Sequence, residues 1–129
     1  MALINTFFFT KNIIDAEKIL KATRNNYKVV SARLYSDKKH ELPDGVTLTL
    51  MVVADDFNYG VDKNGQPRES NLYQNFDVTV LNRKHTFKKG DMVRLLDFDA
   101  EHSYAIGFDL LLRFKDAELI QPQGVKPHA

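Results

Sequence analysis

The chain contains no cysteine, which removes disulfide scaffolds, zinc–thiolate centres and thiol nucleophiles at once. It also lacks a long hydrophobic run. The longest uninterrupted apolar stretch is Leu50–Ala54, far short of the roughly 20 residues that a membrane-spanning helix requires. The opening segment MALINTFFFTK has no basic residue ahead of its apolar part and no small-residue cleavage site. A secretory signal is therefore not expected, and the cytoplasm is the expected compartment.

Catalytic patterns are missing as well. The six glycines are isolated, so there is no phosphate-cradling loop. Ser31, Ser36, Ser70 and Ser103 do not sit in strand-to-helix nucleophile turns. His40, His85, His102 and His128 are scattered over turns and the tail, without helical ligand spacing to a second histidine or carboxylate. Segments 56–60 and 62–65 resemble calcium loops only faintly, because no glutamate closes a twelve-residue ligand series. Asp97 and Asp99 read as a solvated turn rather than an acid–base pair. The expectation is a non-enzyme with no metal and no cofactor.

What remains is an ordinary domain. The 129 residues are 43% hydrophobic and 27% charged, with a net charge of +1, a composition that suits a single globular unit. The near-neutral total hides alternation. Residues 11–39 carry eight basic and three acidic side chains, 40–82 two and seven, 83–94 five and one, and 95–118 two and six.

Hydrophobic spacing supplies the elements. Thr10 or Asn12 is expected to cap a helix over 13–22, with Ile13, Ala16, Ile19 and Leu20 on one face. From Tyr27 the period becomes two. In YKVVSARLY, alternation sends Val30, Ala32 and Leu34 inward, and Tyr27, Val29, Ser31, Arg33 and Tyr35 outward. Pro43-Asp44-Gly45 marks a turn before a second strand with Leu48 and Leu50 inward. Residues 55–72, with Asn64-Gly65 and Pro67, form a long polar loop or hairpin tip. A third strand presents Phe76, Val78 and Val80. A fourth runs from Met92 to Phe98. A fifth, Tyr104–Phe114, puts Ile106, Phe108 and Leu110 inward, with Gly107 allowing a bend. A last short strand covers FKDAELI. The chain divides into one domain over 1–121 and a mobile tail over 122–129.

About six short strands and one N-terminal helix predict a mainly β protein. A small OB-like barrel ranks first, an SH3-like barrel second, and a two-layer sheet with the helix on one face third. On the outward face of the first strand, Tyr27 and Tyr35 flank Arg33. With the basic turn of Arg83, Lys84, Lys88 and Lys89 around Phe87 as a second rim, these residues read as a platform for single-stranded nucleic acid, where bases stack on rings and phosphates meet cations.

The segments RLYSD (33–37), FDVTVLN (76–82) and FKKGDMVRLLDF with FDLLLRFKDAELI (within 87–120) resemble small accessory proteins of Gram-positive conjugative elements and plasmids. The resemblance implies a β-barrel that assists DNA replication or helicase processivity, with a helicase or another replication protein as partner. The N-terminal helix and the longer acidic loop depart from that pattern. A competing reading is an inhibitor or adaptor that docks a basic partner through Asp55, Asp56, Asp62 and Glu69.

Overall fold

The protein is described by a computed structural model covering residues 2–9, 13–106 and 109–120. The candidate caps Thr10 and Asn12, the bend at Gly107, the core position Phe108 and the tail 122–129 lie outside these residues.

Six strands form a barrel-like sheet: β1 (Tyr27–Tyr35), β2 (Gly45–Val52), β3 (Asn75–Val80), β4 (Met92–Phe98), β5 (Tyr104–Ile106) and β6 (Asp109–Leu119). A 3-10 turn (Thr6–Phe9) and one helix, α1 (Ala16–Ala22), precede them. Antiparallel pairing runs β3–β2–β1–β4–β6–β5. A parallel pairing of β3 with β6, Val78 opposite Leu112 and Val80 opposite Phe114, links the two ends of that ladder.

The helix is shorter than its hydrophobic period predicts. Asp15 caps it, its carboxylate accepting from Lys18 N–H, which satisfies a donor that the first turn leaves open. Ala16 is buried, and Ile14 and Leu20 pack on the core. Ile13 is exposed, because it precedes the cap. At the other end, Thr23 donates its hydroxyl to Ile19 O and pairs with the buried Tyr27 hydroxyl.

The first strand departs most from its expected alternation. Tyr27 and Val29, expected outside, are fully buried in the core. Leu34, expected inside, is 74% exposed, and Val30 is half-buried. A bulge between Val29 and Ser31 is what turns Tyr27 and Val29 inward. An extra residue in one strand reverses the parity beyond it. Tyr27 and Val29 therefore sit opposite Val52 and Leu50, while Ala32 and Leu34 sit opposite Leu48 and Val46. All four lie on the same side of the sheet. Ala32 and Leu34 are exposed because β4 pairs with β1 only at Tyr27 and Lys28. Asn25 lengthens that seam with its side chain, donating to Leu95 O and accepting from Leu95 N–H, both at 2.8 Å.

The other strands carry the core largely as their alternation predicts. Leu48, Leu50, Val78 and Val80 are fully buried, and Phe76 packs against them. Leu95 and Phe98 both turn inward although three residues apart. Asp97, at φ 56°, breaks the alternation between them. The expected single strand 104–114 is two strands, because Ile106 pairs back onto Asp109. Ile106 and Leu110, expected in the core, are 60% and 45% exposed. The core side of β6 begins instead at Leu112 and Phe114. The expected short strand over 114–120 is the continuation of β6.

Gly45 lies where two strands nearly touch. A Cβ there would stand 1.9 Å from Val80 O, so no other residue fits without moving β3. In urea unfolding, Gly45→Ala is expected to cost about 1–3 kcal/mol through overpacking. Leu50→Ala is expected to cost about 2–5 kcal/mol. Leu34→Ala, at an exposed position, is expected to stay within about 0.5 kcal/mol. A Leu34→Ala loss as large as that of Leu50→Ala would show that the face of β1 beyond the bulge is covered.

Candidate nucleic-acid interface

The residues expected to form a binding platform separate into two groups. Tyr27 and Phe87 belong to the core, so neither ring is open to a base. Burial raises the Tyr27 hydroxyl pKa, against the lowering effect of its bond with Thr23. The alternation pattern placed Tyr27 outside because it could not register the bulge. Phe87 lies in a segment without regular structure, where no period signals burial.

Arg33, Tyr35, Lys84, Lys88 and Lys89 remain at or near the surface. Arg33 lies on the outer side of the sheet, donating to Thr49 Oγ1 at 3.3 Å and to Asp77 Oδ2 at 3.4 Å. Thr49 in turn donates to Asp77 Oδ1 at 2.6 Å. Tyr35 is half-buried, with the Arg113 guanidinium 6.0 Å from its ring centre. Lys84 is exposed, its ammonium 3.9 Å from Asp116. The Asp116 carboxyl is held below the usual range, first by the Asn82 amide and, against the effect of burial, by Ala117 N–H, Lys84 and His85.

The bulge produces a feature that alternation does not reveal. Beyond Val29, β1 parts from β4, and the segment 83–87 stands beside it. A cleft of about 340 Å³ opens between them, lined by Leu34, Val46 and Phe87 with Arg33, Arg83 and His85. Arg33 comes from the first basic block of the sequence, Arg83 and His85 from the second. Arg83 is anchored in place. Its Nε donates to Gly45 O and its Nη2 to Tyr35 O, both at 3.0 Å, and Asp44 lies 3.9 Å away. The His85 ring is exposed, with its centre 5.9 Å from that of Phe87. Arg83 belongs to the basic turn expected as a second rim, whereas His85, read as a solvated turn histidine, is a site that the sequence reading missed. The signal for His85 was its place inside the basic run 83–89, which was read at Arg83, its lysines and Phe87.

The acidic loop is organised internally. Asp55 accepts from Phe57 N–H, Asn71 N–H and the Tyr59 hydroxyl. Asp56 pairs with Arg24 at 2.6 Å. Asp62 accepts from Asn64 and Gln66 N–H, and Val61 bridges to Pro67. Three of the four carboxylates proposed to dock a basic partner are thus engaged within the chain, and Glu69 is exposed.

Asp99, expected in a solvated turn, is buried. It receives His102 N–H at 3.3 Å and stands 2.8 Å from His102 Nδ1. This contact joins two residues that lie three apart in sequence. Glu101 completes a group whose ligand atoms lie within 4.8 Å of one another. Arg113 donates to His102 O at 2.5 Å, so a fixed positive charge already stands beside this group.

Comparison of the chain with protein-family models, curated proteins and solved structures finds no match.

The Asp55 clasp has a defined pH dependence. Burial pushes its carboxyl pKa up, but the Tyr59 hydroxyl and the Asn71 and Phe57 N–H groups together outweigh this and hold it below 3.8. A carboxyl depressed in the folded state stabilises that state above its unfolded pKa, and the contribution is lost as pH falls through the folded value. Hydrogen exchange is expected to find the Asn71 and Phe57 amides protected at neutral pH and released only as pH falls through the depressed Asp55 value, below the ordinary carboxylate range. Asp55→Asn is expected to show the released behaviour already at pH 7. Equal, fast exchange in both proteins at pH 7 would mean that the clasp does not hold the loop.

Proposed function

We propose that this chain is a non-enzymatic accessory protein that binds single-stranded nucleic acid along the cleft between β1 and the 83–89 segment. The observation that carries the reading is the placing of Arg83 and His85 over an apolar floor of Leu34, Val46 and Phe87, with the Arg33 guanidinium on the other face of the same strand. Single strands present unstacked bases and a regular line of phosphates. A groove that combines stacking planes with cations suits both. The guanidinium planes and the His85 ring offer stacking surfaces, and exposed Lys84, Lys88 and Lys89 extend the cationic rim along the same segment.

The pairing pattern supports an OB-like assignment within the barrel-like class. Five strands, β1–β2–β3–β6–β4, follow one another around the ladder, with β5 as an appended hairpin partner. Five-stranded Greek-key barrels of this kind commonly bind oligonucleotides on the sheet face and flanking loops. Fold alone does not assign function, so the weight rests on the cleft. A role in replication or transfer of a mobile element, beside a helicase or other replication protein, rests on the resemblance of segments 33–37, 76–82 and 87–120. Engagement of Asp55 and Asp62 inside their own loop, and of Asp56 by Arg24, favours the nucleic-acid reading over the acidic docking arm.

Fluorescence anisotropy with labelled oligonucleotides tests the reading. Single strands are expected to bind more tightly than duplex, with affinity falling as salt rises. Lys88→Ala is expected to flatten the log–log salt slope by about 0.7, one counterion's worth on a single strand. His85→Ala is expected to lose about 1–3 kcal/mol through a lost stack, whereas His85→Phe retains affinity. Absence of single-strand binding at low salt by a folded wild-type protein overturns the proposal.

A further inference from the structure

The ladder of strands does not close along its whole length. β3 pairs with β6 only over Val78–Val80 and Leu112–Phe114. On their other sides both strands continue paired, Asn75–Asp77 with β2 and Asp109–Leu111 with β5. The seam between these two stretches stands open. Two clefts meet at the gap. The inner one, about 540 Å³, is lined by Ile19 of α1 and by Tyr27, Val52 and Phe76 of the sheet. The outer one, about 290 Å³, lies beside Thr79 and Ile106. Asp77, Asp109, Leu110 and Leu112 line both, so these four stand where the clefts join.

The inner cleft is aromatic and the join is acidic. Tyr27 and Phe76 meet edge to face, with ring centres 5.2 Å apart at 72°. Tyr27 is fully buried and its hydroxyl is paired with Thr23, so it contributes a ring rather than a free polar group. Phe76 is half-buried. No lysine, arginine or histidine lines either cleft among the described residues. Asp77 is already engaged by Arg33 and Thr49. Asp109 is exposed, and its carboxylate has no hydrogen-bond or ion-pair partner among the described residues.

We propose that the open seam binds a small organic amine with an aromatic body, its ring in the inner cleft beside Phe76 and its ammonium group at the join with Asp109. The inner volume falls within the roughly 300–1,000 Å³ of small-ligand sites. A ligand ring extends the edge-to-face contact that Tyr27 and Phe76 already make. The ammonium group carries three donors. Asp109 accepts from it with charge complementarity, and the exposed carboxamides of Gln74 and Asn75, which line the same cleft, offer further acceptors. An anion would meet two carboxylates and no cation, which disfavours nucleotides as well as carboxylic acids. The site is thus distinct in chemistry from the nucleic-acid cleft beside segment 83–87, with which it shares no lining residue. It stands or falls independently of that reading.

Heteronuclear NMR titration of the full chain at neutral pH tests it. Tryptamine is the probe, with tryptophol and indolepropionate as its neutral and anionic counterparts on the same ring. Titration runs to about 10 mM, enough to saturate a site of millimolar affinity. Tryptamine is expected to shift the Asn75, Phe76 and Leu112 amides saturably, with tryptophol weaker and indolepropionate weakest. Asp109→Asn, at an exposed position that the fold does not depend on, is expected to lower tryptamine affinity about threefold to fivefold, the scale of an exposed ion pair, and to leave tryptophol unchanged. Glu69→Gln removes the same charge from an exposed site elsewhere and is expected to leave tryptamine affinity unchanged. Absence of saturable shifts at these amides, equal affinity for tryptamine and tryptophol, or equal effects of Asp109→Asn and Glu69→Gln would each overturn the proposal.

Discussion

The bulge at Val30 is the constraint on which the rest of the structure depends. Without it, a nine-residue strand would turn Tyr27 and Val29 to one face and Ala32 and Leu34 to the other. With it, all four share the core side of the sheet. The first half of β1 then completes the interior with Tyr27 and Val29, both fully buried. The second half carries its apolar residues past the end of β4, where nothing pairs with that edge among the described residues. One inserted residue thus closes the core at one end of the strand and opens a cleft at the other.

That opening concentrates charge. Arg33 points away from the core onto the outer polar face, where Thr49 and Asp77 hold its guanidinium. Arg83 approaches from the opposite side of the strand and binds the carbonyls of Gly45 and Tyr35. The approach depends on Gly45, since the strand can pass this close to Val80 only where no Cβ intervenes. The two basic blocks, about fifty residues apart in sequence, meet because the ladder brings β1 and the β3–β4 connection together. Both arginines are already held by neighbouring acceptors, Arg83 beside the cleft and Arg33 on the outer face of the strand, so these cations stand in fixed positions rather than on free side chains. Held groups lose less conformational freedom when a ligand arrives.

Negative charge is handled differently. Asp55, Asp56 and Asp62 are used to tie the 55–72 loop to itself and to Arg24. Composition gave the impression of an acidic arm, but carboxylates beside backbone N–H groups are as readily consumed in loop closure as presented to a partner. The apolar arm of residues 2–9 shows the reverse. Local hydrophobicity there is plain in the sequence, yet Leu3, Ile4 and Phe9 stay exposed.

The sequence by itself determined the class of this protein: a mainly β chain with one short helix, whose strands β2, β3 and β4 lie close to their expected spans. Those strands alternate strictly over most of their length, and a period of two is a local property that needs no partner to be read. Candidate lysines and Arg33 were also legible, since charge on a strand or turn residue usually means exposure. Tertiary structure decided what local pattern cannot encode. It reversed the parity of Tyr27 and Val29 through a bulge, divided the 104–114 stretch at the Ile106–Asp109 pairing, and buried Phe87 from an irregular segment. It also brought Arg83 and His85 to the strand that carries Arg33, on the side away from the Arg33 guanidinium. Each of these outcomes depends on which strand lies alongside, and a strand's neighbours are fixed by long-range pairing rather than by its own residues.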